Sequence, residues 1–235
     1  MKVSEIGETL RAELMMARAS DAAYDAIKSW IQKAEAAPGT LIDEADAAKR
    51  LSMSRTPVRE ALLRLQSEGY VEIGRGKGIR VLPLSTGDMR EIYQVISGME
   101  VVAVGLLAKK RPRREDLRSL FEATADMSRL LSADQIDQWG EADELFHREL
   151  MRLSGNSRLY TVGCHLRDVA KRAHMVAVRL QDDKYRARST ANHTVLVKAI
   201  LKGNVRDAAD LHFEQRQRGE DALVGIVERF NIVSL

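Results

Sequence analysis

The chain has 235 residues, 45% of them apolar and 30% charged, a composition typical of folded proteins with one or two domains. A single cysteine, Cys164, excludes a fold held together by internal disulfides, and no apolar run reaches the ~20 residues of a membrane span. The first part of the chain mixes charged and apolar residues without a secretion signal, so we expect a soluble, cytoplasmic protein.

Positive charge is concentrated in one part of the chain. The net charge is only +3, but the segment from Lys49 to Arg80 has eight basic and three acidic residues, a local charge of +5. Such a segment is typical of surfaces that neutralise phosphates, although a solvated basic face would look the same. Because the pattern of elements changes near residue 83, we divide the chain into an N-terminal extension (1–20), a first domain (21–83) and a second domain (84–235).

The first domain is predicted to contain three helices and a hairpin. Apolar residues recur at three- and four-residue spacing in each helix, Pro38-Gly39 ends the first helix, and Ser54 is the predicted cap of the third. Two β-branched runs around a glycine-rich tip then predict a hairpin. The predicted helices are Asp21–Ala36, Asp43–Leu51 and Ser54–Glu68, and the predicted strands are Tyr70–Ile73 and Ile79–Val81.

The second domain is predicted to be an all-helical bundle, which makes the protein mainly α. Its helices are separated by proline, glycine or polar breaks, and Ser85 with Asp88 resembles a capping box at the start of the first. Amphipathic helices of this kind must pack together to bury their apolar faces. The predicted helices are Thr86–Lys110, Arg114–Leu131, Asp134–Leu153, Ser157–Leu180, Lys184–Lys202 and Val205–Phe230.

Three helices followed by a basic hairpin are the order of a winged helix-turn-helix. An α-helix fits the major groove of B-DNA, where residues near its N-terminus reach the base edges. Arg55 and Arg59 lie one turn apart, opposite the apolar stripe of the third helix, so we expect both to face DNA. The flexible hairpin tip would bring Arg75 and Lys77 close to the sugar-phosphate backbone.

These residues resemble the DNA-binding domain of GntR-type bacterial transcriptional regulators. The resemblance covers about residues 22–83 and rests on the segments 38–41, 51–62 and 68–71, of which the run Ser-Arg-Thr-Pro-Val-Arg-Glu-Ala-Leu is highly specific. Many relatives carry an arginine where this chain has Ala45. The operator sequence that these relatives bind is therefore a poorer guide to the operator of this chain. The resemblance implies base and phosphate contacts by Arg55 and Arg59, phosphate contacts by Ser54 and Thr56, and minor-groove contacts by Gly76 and Lys77.

Three residues of the second domain have the chemistry of a metal site. Asp143 and His147 are four positions apart, so they share one face of a helix, and His193 could join them from a facing helix. Two imidazoles and one carboxylate suit a divalent metal such as zinc, nickel, iron or manganese. Histidines that only form hydrogen bonds within a core would give the same spacing.

The second domain resembles FCD, the helical sensor domain of FadR-type regulators in the same family. The matching pieces are Phe146–Leu150, Ser154–Asn156 and His193–Gly203. In metal-binding relatives the ligands correspond to Asp143, His147, His193 and a histidine on the final helix. At that fourth position this chain has Gln215, a poor ligand for a transition metal; either His212, one turn earlier, substitutes for it, or the site is weakened or lost.

The resemblance also implies a small-molecule effector, with an organic acid as one candidate. Relatives that bind small carboxylates often have an arginine where Ile96 stands here, and a dry pocket without that cation lacks a partner for a carboxylate. Other arginines could supply the charge if they face inward. The candidates are Arg148, Arg167, Arg172 and Arg179.

We therefore expect a homodimeric transcriptional regulator, acting as a repressor, that binds a pseudo-palindromic DNA operator. An effector in the bundle would change the spacing of the two winged helices through the segment 82–88. One alternative is an enzyme with a metal on Asp143, His147 and His193, although no nucleophile or separate general base converges there. Another is an architectural DNA binder whose bundle only dimerises.

Overall fold

The computed structural model describes residues 3–33, 35–74, 78–83 and 85–229, and the chain divides into two compact units between residues 84 and 85. The described part of the first unit contains helices and a small sheet, and that of the second is helical throughout. This confirms the predicted fold class, a mainly α protein with a winged helix-turn-helix followed by a helical bundle.

The described residues of the N-terminal unit form three helices and a three-stranded antiparallel sheet. The strand order is β1-β3-β2, with Leu41 opposite Arg80 and Ile73 opposite Ile79. The first helix begins well before the predicted Asp21, and strand β1 is absent from the prediction because two residues carry no alternating pattern. The elements are α1 (Val3–Gln32), β1 (Leu41–Ile42), α2 (Glu44–Leu51), α3 (Arg55–Ser67), β2 (Val71–Gly74) and β3 (Gly78–Val81).

Local capping sets the turn between α2 and α3. The carboxylate of Asp43 accepts hydrogen bonds from the N–H groups of Ala45 and Asp46, at 2.7 and 3.0 Å, and so begins α2. Ser52 ends α2 in the left-handed conformation, with φ of 55°. Ser54 stands at the cap position of α3 as predicted, but its side chain makes no capping hydrogen bond.

Helices α1 and α3 pack against each other and form the core of this unit. Ile27 of α1 and Leu62 and Leu65 of α3 are fully buried, as is Val81 of β3. Each such side chain contributes about 1.5–3 kcal/mol through its burial. Because this core immobilises α3, the residues at the head of α3 have fixed positions.

The second unit is a bundle whose helices lie close to the predicted ranges. The main difference is that a 3₁₀ turn precedes α5, where the sequence predicts α-helix from Arg114. The predicted capping box is present, since Ser85 and Asp88 satisfy each other's backbone N–H groups. The elements are α4 (Thr86–Lys109), the 3₁₀ turn Arg114–Leu117, α5 (Arg118–Ser132), α6 (Ile136–Leu153), α7 (Ser157–Leu180), α8 (Asp183–Leu201) and α9 (Val205–Arg229).

Helix α4 is the central element of the bundle. It contacts α6, α7, α8 and α9, and its Val104 and Leu107 belong to the same core as Phe146 and Leu150 of α6. The helix is long and apolar enough to cross a membrane, but it carries the fully buried carboxylate of Glu100. The partners of that carboxylate lie on the neighbouring helices, so α4 is a core helix of the bundle.

Buried ion pairs link α4, α6 and α7. Arg167 of α7 donates two hydrogen bonds of 2.7 Å each, from Nη1 to Oε1 of Glu100 and from Nη2 to Oε2 of Glu144. Arg148 connects Glu144 to Asp168, with hydrogen bonds of 2.6 and 2.5 Å. Burial alone would raise the pKa of Glu144, but Arg167 outweighs this effect and lowers the pKa to about 2.

Replacing Glu144 with glutamine should destabilise the bundle and change its pH dependence. The folded-state pKa of Glu144 lies below its ordinary value of 4.5, so the stabilisation is present above pH 4.5 and is lost as the pH falls towards 2. We expect Glu144→Gln to lose about 3 kcal/mol at pH 7, because it breaks a buried pair, and less at pH 3. Urea unfolding at both pH values, followed by circular dichroism, measures the difference.

Glu122→Gln is the matched control for this experiment. Glu122 is exposed and lies 3.9 Å from Arg118, so its replacement should change the free energy of unfolding by less than about 0.5 kcal/mol. Equal destabilisation in the two variants, or equal losses at pH 7 and pH 3 in Glu144→Gln, would contradict the stabilising role of the ionised Glu144.

Candidate nucleic-acid interface and effector cavity

The head of α3 presents four of the predicted DNA-binding residues side by side. Ser54, Arg55, Thr56 and Arg59 are all exposed, and neither arginine is ion-paired with another described residue. The first turn of α3 contains no acidic residue, and the Ser54 side chain leaves its N–H groups uncapped. A helix end with unpaired cations and uncapped N–H groups is suited to bind a phosphate.

Arg64, further along α3, has a structural role instead. It forms ion pairs with Glu68 at 3.1 Å and with Asp21 at 3.3 Å, and its guanidinium lies 3.8 Å from the ring centre of Tyr24. Asp21 and Tyr24 belong to α1, so these contacts join α1 to α3. The basic residues of α3 therefore divide into a paired one at its end and two unpaired ones at its head.

The predicted wing is described up to its tip. Strands β2 and β3 pair with Glu72 opposite Arg80 and Gly74 opposite Gly78, so the hairpin extends as far as the glycines. Arg75, Gly76 and Lys77 lie outside the described residues, and their contact with DNA stays a prediction.

The bundle contains a cavity of about 60 Å³, at which the predicted metal ligands converge. Asp143 and His147 of α6 and His193 of α8 place one ligand atom each within 4.8 Å of the others. Nε2 of His193 lies 3.0 Å from Oδ1 of Asp143, and Nε2 of His147 lies 3.8 Å from Oδ2. Helices α4, α7 and α9 contribute further lining residues, among them Tyr93, His174, His212, Gln215 and Arg216.

Glu100 fixes the orientation of His147, with its Oε2 2.9 Å from Nδ1. Burial opposes the ionisation of Glu100, but Arg216, His147 and Arg167 outweigh it and hold the pKa of this carboxyl well below its usual range. An ionised carboxylate only accepts hydrogen bonds, so Nδ1 of His147 donates and Nε2 keeps its lone pair. Burial lowers the pKa of His147 to about 3, which leaves it in the neutral, metal-binding form at pH 7.

The two residues considered for the fourth ligand position have different surroundings. Nε2 of His212 lies 3.0 Å from Oε2 of Glu100, so that nitrogen is already engaged. Gln215 donates its Nε2 to the carbonyl oxygen of Asn192, and its Oε1 is buried without a hydrogen-bond partner. Gln215 therefore offers the cavity an unsatisfied oxygen, although an amide oxygen suits a transition metal less well than an imidazole.

Asp143 gives the cavity the character of a cation site. Its buried carboxylate lies within 3.8 Å of ring nitrogens of three histidines among the described residues, including His174 at 3.4 Å. Burial alone would raise the pKa of Asp143, but the neighbouring imidazoles of His174 and His193 outweigh it and hold the pKa well below its usual range. An ionised carboxylate with imidazoles and an unsatisfied amide oxygen is a donor set that fits a divalent metal. Sequence reasoning missed His174, because no potential ligand stands three or four positions from it.

Two of the predicted effector arginines do not line this cavity. Arg148 and Arg167 belong to the buried ion pairs and are not among the lining residues, and the side chain of Arg172 lies outside the described part of the chain. The buried cation that does line the cavity is Arg216 of α9. Sequence reasoning missed it, because a run of polar residues around Gln215 is typical of a solvated helix face.

Cys164 lies in α7 and is not a lining residue of the cavity. Burial raises the pKa of its thiol, so little of the nucleophilic thiolate is present at neutral pH. This agrees with a packing role for the cysteine rather than a catalytic one.

Two family models match the chain. Residues 19–81 match the model of the bacterial regulatory proteins of the gntR family, and residues 91–215 match the model of the FCD domain.

Proteins of similar sequence are named as transcriptional regulators. An uncharacterized HTH-type regulator of Agrobacterium vitis, in the TAR-I ttuE-ttuC' intergenic region, is 39% identical over 132 residues, which are 55% of this chain and 77% of that protein. The gluconate operon transcriptional repressor of Bacillus subtilis (strain 168) is 29% identical over 167 residues, 69% of this chain and 67% of the repressor.

Solved structures share the fold at lower identity. McbR/YncC of E. coli matches with a TM-score of 0.73 and 20% identity over 87% of this chain and 96% of its own. A GntR regulator of Rhodococcus sp. RHA1 matches with a TM-score of 0.71 and 21% identity over 89% and 98% of the two chains. Since the gntR family model describes regulatory proteins and the named relatives are regulators of transcription, the alternative of a metal-dependent enzyme is wrong. The chain belongs to the GntR family of bacterial transcriptional regulators and carries an FCD domain.

Proposed function

We propose that this regulator is a cytoplasmic, homodimeric repressor that binds a pseudo-palindromic operator and responds to a small organic acid in its FCD cavity. The observation that carries the proposal is a cavity lined by buried polar atoms without partners, in a chain whose other unit presents an unpaired arginine pair at a helix head. The arginine pair suits DNA, and the unsatisfied cavity suits a ligand.

The proposed DNA contacts follow from the geometry of α3. Arg55 and Arg59 are exposed one turn apart at its head, where a recognition helix meets base edges and phosphates. Ser54 and Thr56 flank the uncapped first turn and can donate to a phosphate. We assign the minor-groove and backbone contacts of the wing to Arg75, Gly76 and Lys77.

Arg59→Ala should weaken specific DNA binding by about 1–3 kcal/mol and relax the preference at one base pair. The expected loss arises because no other side chain of α3 can replace a bidentate guanidinium contact at that position. Fluorescence anisotropy at fixed salt, with duplexes from the promoter region of the regulator's own gene, measures the affinity and its base dependence.

Arg118→Ala provides the control, since it removes one positive charge from an exposed position in the bundle. We expect its operator affinity to stay within about twofold of the parent. If Arg59→Ala binds operator and mutated operator as the parent does, Arg59 does not contact a base.

The proposed metal is a divalent ion, with zinc, nickel, iron and manganese as candidates. When bound, it would supply a Lewis-acidic position to which an acidic effector can attach. The charge of the buried network supports a cation, because three carboxylates face two guanidinium groups. The network residues are Glu100, Asp143 and Glu144 against Arg167 and Arg216, and the proposed ligands are Asp143, His147 and His193, with Gln215 as the fourth.

His147→Ala should abolish stoichiometric metal, and Gln215→His should tighten metal binding by about tenfold or more, because an imidazole replaces an amide. Elemental analysis of the purified proteins and titration with zinc measure the two effects. His165→Ala removes a histidine of α7 that does not line the cavity and should leave the metal content unchanged. A parent protein without metal, and without measurable zinc affinity, would rule out the metal site.

The effector acts as a switch only if it binds the DNA-competent arrangement and the incompetent one unequally. We propose that the segment 82–88, which joins the two domains, transmits this difference. The name of one relative, the gluconate operon repressor, refers to an organic acid and supports this ligand class. If no organic acid changes the DNA affinity of the protein, the result would instead favour the alternative of an architectural DNA binder whose bundle only dimerises.

The proposed dimer is supported by an apolar surface on α4. Val95 and Val102 lie two turns apart on this helix and are each 52% exposed, and Gly98 between them is also exposed. A helix that is apolar on all sides is normally buried on all sides. We propose that a second copy of the chain covers this surface.

Val102→Glu should convert the dimer to a monomer or weaken the dimer at least tenfold, because it places a charge in the proposed interface. Light scattering after gel filtration, over a range of protein concentrations, measures this. Val195→Glu on α8 is the matched control, since Val195 is 50% exposed but has polar neighbours along its helix. Equal dimer stability in both variants would place the interface elsewhere.

A further inference from the structure

The wall of the cavity holds five buried polar atoms without hydrogen-bond partners among the described residues. Four of them are imidazole nitrogens or an amide oxygen, which can bind a cation or accept a hydrogen bond. The fifth, Nη2 of Arg216, can only donate, since a guanidinium in a protein stays protonated. The atoms are His174 Nε2, His193 Nδ1, His212 Nδ1, Gln215 Oε1 and Arg216 Nη2.

Arg216 is held in place by its surroundings, but one of its donor groups has no hydrogen-bond acceptor among the described residues. Its side chain is buried, its Nε donates to Oγ of Ser97 over 3.2 Å, and its guanidinium lies 5.1 Å from the ring centre of Tyr93. The nearest carboxylate is that of Glu100, 3.5 Å from the same Nε. These contacts fix the direction of the guanidinium and leave Nη2 without an acceptor.

Glu100 lies beside Nε of Arg216 but makes no hydrogen bond to its Nη2, and the carboxylate accepts from other side chains instead. Oε1 accepts a 2.7 Å hydrogen bond from Arg167, and Oε2 lies 2.9 Å from His147 and 3.0 Å from His212. A buried N–H group without an acceptor costs about 1–3 kcal/mol, more when it is charged. An acceptor supplied by a ligand would remove that penalty.

We propose that Arg216 recognises the acid group of the effector and selects a small monocarboxylate. This inference rests on the proposed function, because it names the residue that reads the organic acid. The cavity of about 60 Å³ has room for roughly four or five water-sized groups, which is close to the size of acetate and somewhat smaller than that of lactate. The other lining arginines, Arg188 and Arg218, are exposed at the rim, where water screens their charge.

The charge of the buried network agrees with a singly charged acid. Three carboxylates and two guanidinium groups leave one negative charge, a divalent metal changes the sum to one positive charge, and a monocarboxylate then neutralises it. A carboxylate also matches the donor geometry of a guanidinium. A guanidinium binds a carboxylate more strongly than a neutral carbonyl group.

The test compares the full-length, zinc-loaded parent with Arg216→Gln and Arg206→Gln. Calorimetric titration uses sodium acetate and sodium lactate, with sodium chloride at the same ionic strength and the neutral lactamide as further probes. We expect the parent to bind lactate but not lactamide, and Arg216→Gln to bind lactate at least tenfold more weakly. Arg206→Gln should bind as the parent does, because Arg206 is exposed in the first turn of the same helix.

The possible results separate this inference from the proposed function. Unchanged lactate affinity in Arg216→Gln overturns the role of Arg216 and leaves the organic-acid effector intact. A parent that binds neither acetate nor lactate overturns both, while operator binding and zinc content of the same preparation still test the regulator and the metal independently.

A crystal structure of the parent with lactate decides the matter if Arg216→Gln does not fold. We expect a carboxylate oxygen of lactate within about 3.2 Å of Nη2 of Arg216. Lactate bound only to Arg188 or Arg218, or away from the cavity, overturns the proposal.

Discussion

The bundle depends on one buried carboxylate. Glu100 is fully enclosed in the central helix, and it is stable there only because Arg167, His147 and His212 donate to it from three neighbouring helices. Each of these bonds also has a consequence for the cavity. The bond to His147 directs its free nitrogen towards Asp143, while Nη2 of Arg216 keeps no hydrogen-bond acceptor among the described residues. Removing Glu100 would therefore disturb the fold, the proposed metal site and the position of Arg216 together.

In the N-terminal unit, the presence or absence of an ion-pair partner likewise separates a structural arginine from those that we assign to DNA. Arg64 is paired with carboxylates and stacked on Tyr24, so it joins two helices. Arg55 and Arg59 have no ion-pair partner among the described residues, so their charge is available to phosphates. In both units we assign ligands to cationic groups that lack a partner among the described residues, since buried or clustered charges without partners destabilise a fold.

Most of the fold could be predicted from the sequence, because its helices carry strong periodic patterns with clear stops. The hairpin and the bundle helices agree within a few residues, whereas β1 could not be found, since two residues at 41–42 carry no pattern of their own. The cap at Ser54 was placed correctly but its side-chain bond was not, because a capping residue type does not fix its own rotamer. The specific run at 54–62 is also enough to indicate the family.

For the site, spacing alone indicated that Asp143 and His147 share a helix face, since four residues make about one turn. Which side chains reach the cavity from other helices was decided only by the tertiary structure. His174 and Arg216, which line the cavity, stand in polar stretches without a motif, and nothing in the sequence separates them from Arg148 and Arg167, which form ion pairs instead. The physical reason is that the rotation of each helix about its axis, and the competition of neighbouring carboxylates for each cation, are set by the packing of the whole bundle. The sequence alone determined which residue types are present and how they are spaced, whereas the tertiary structure decided which side chains pair with each other.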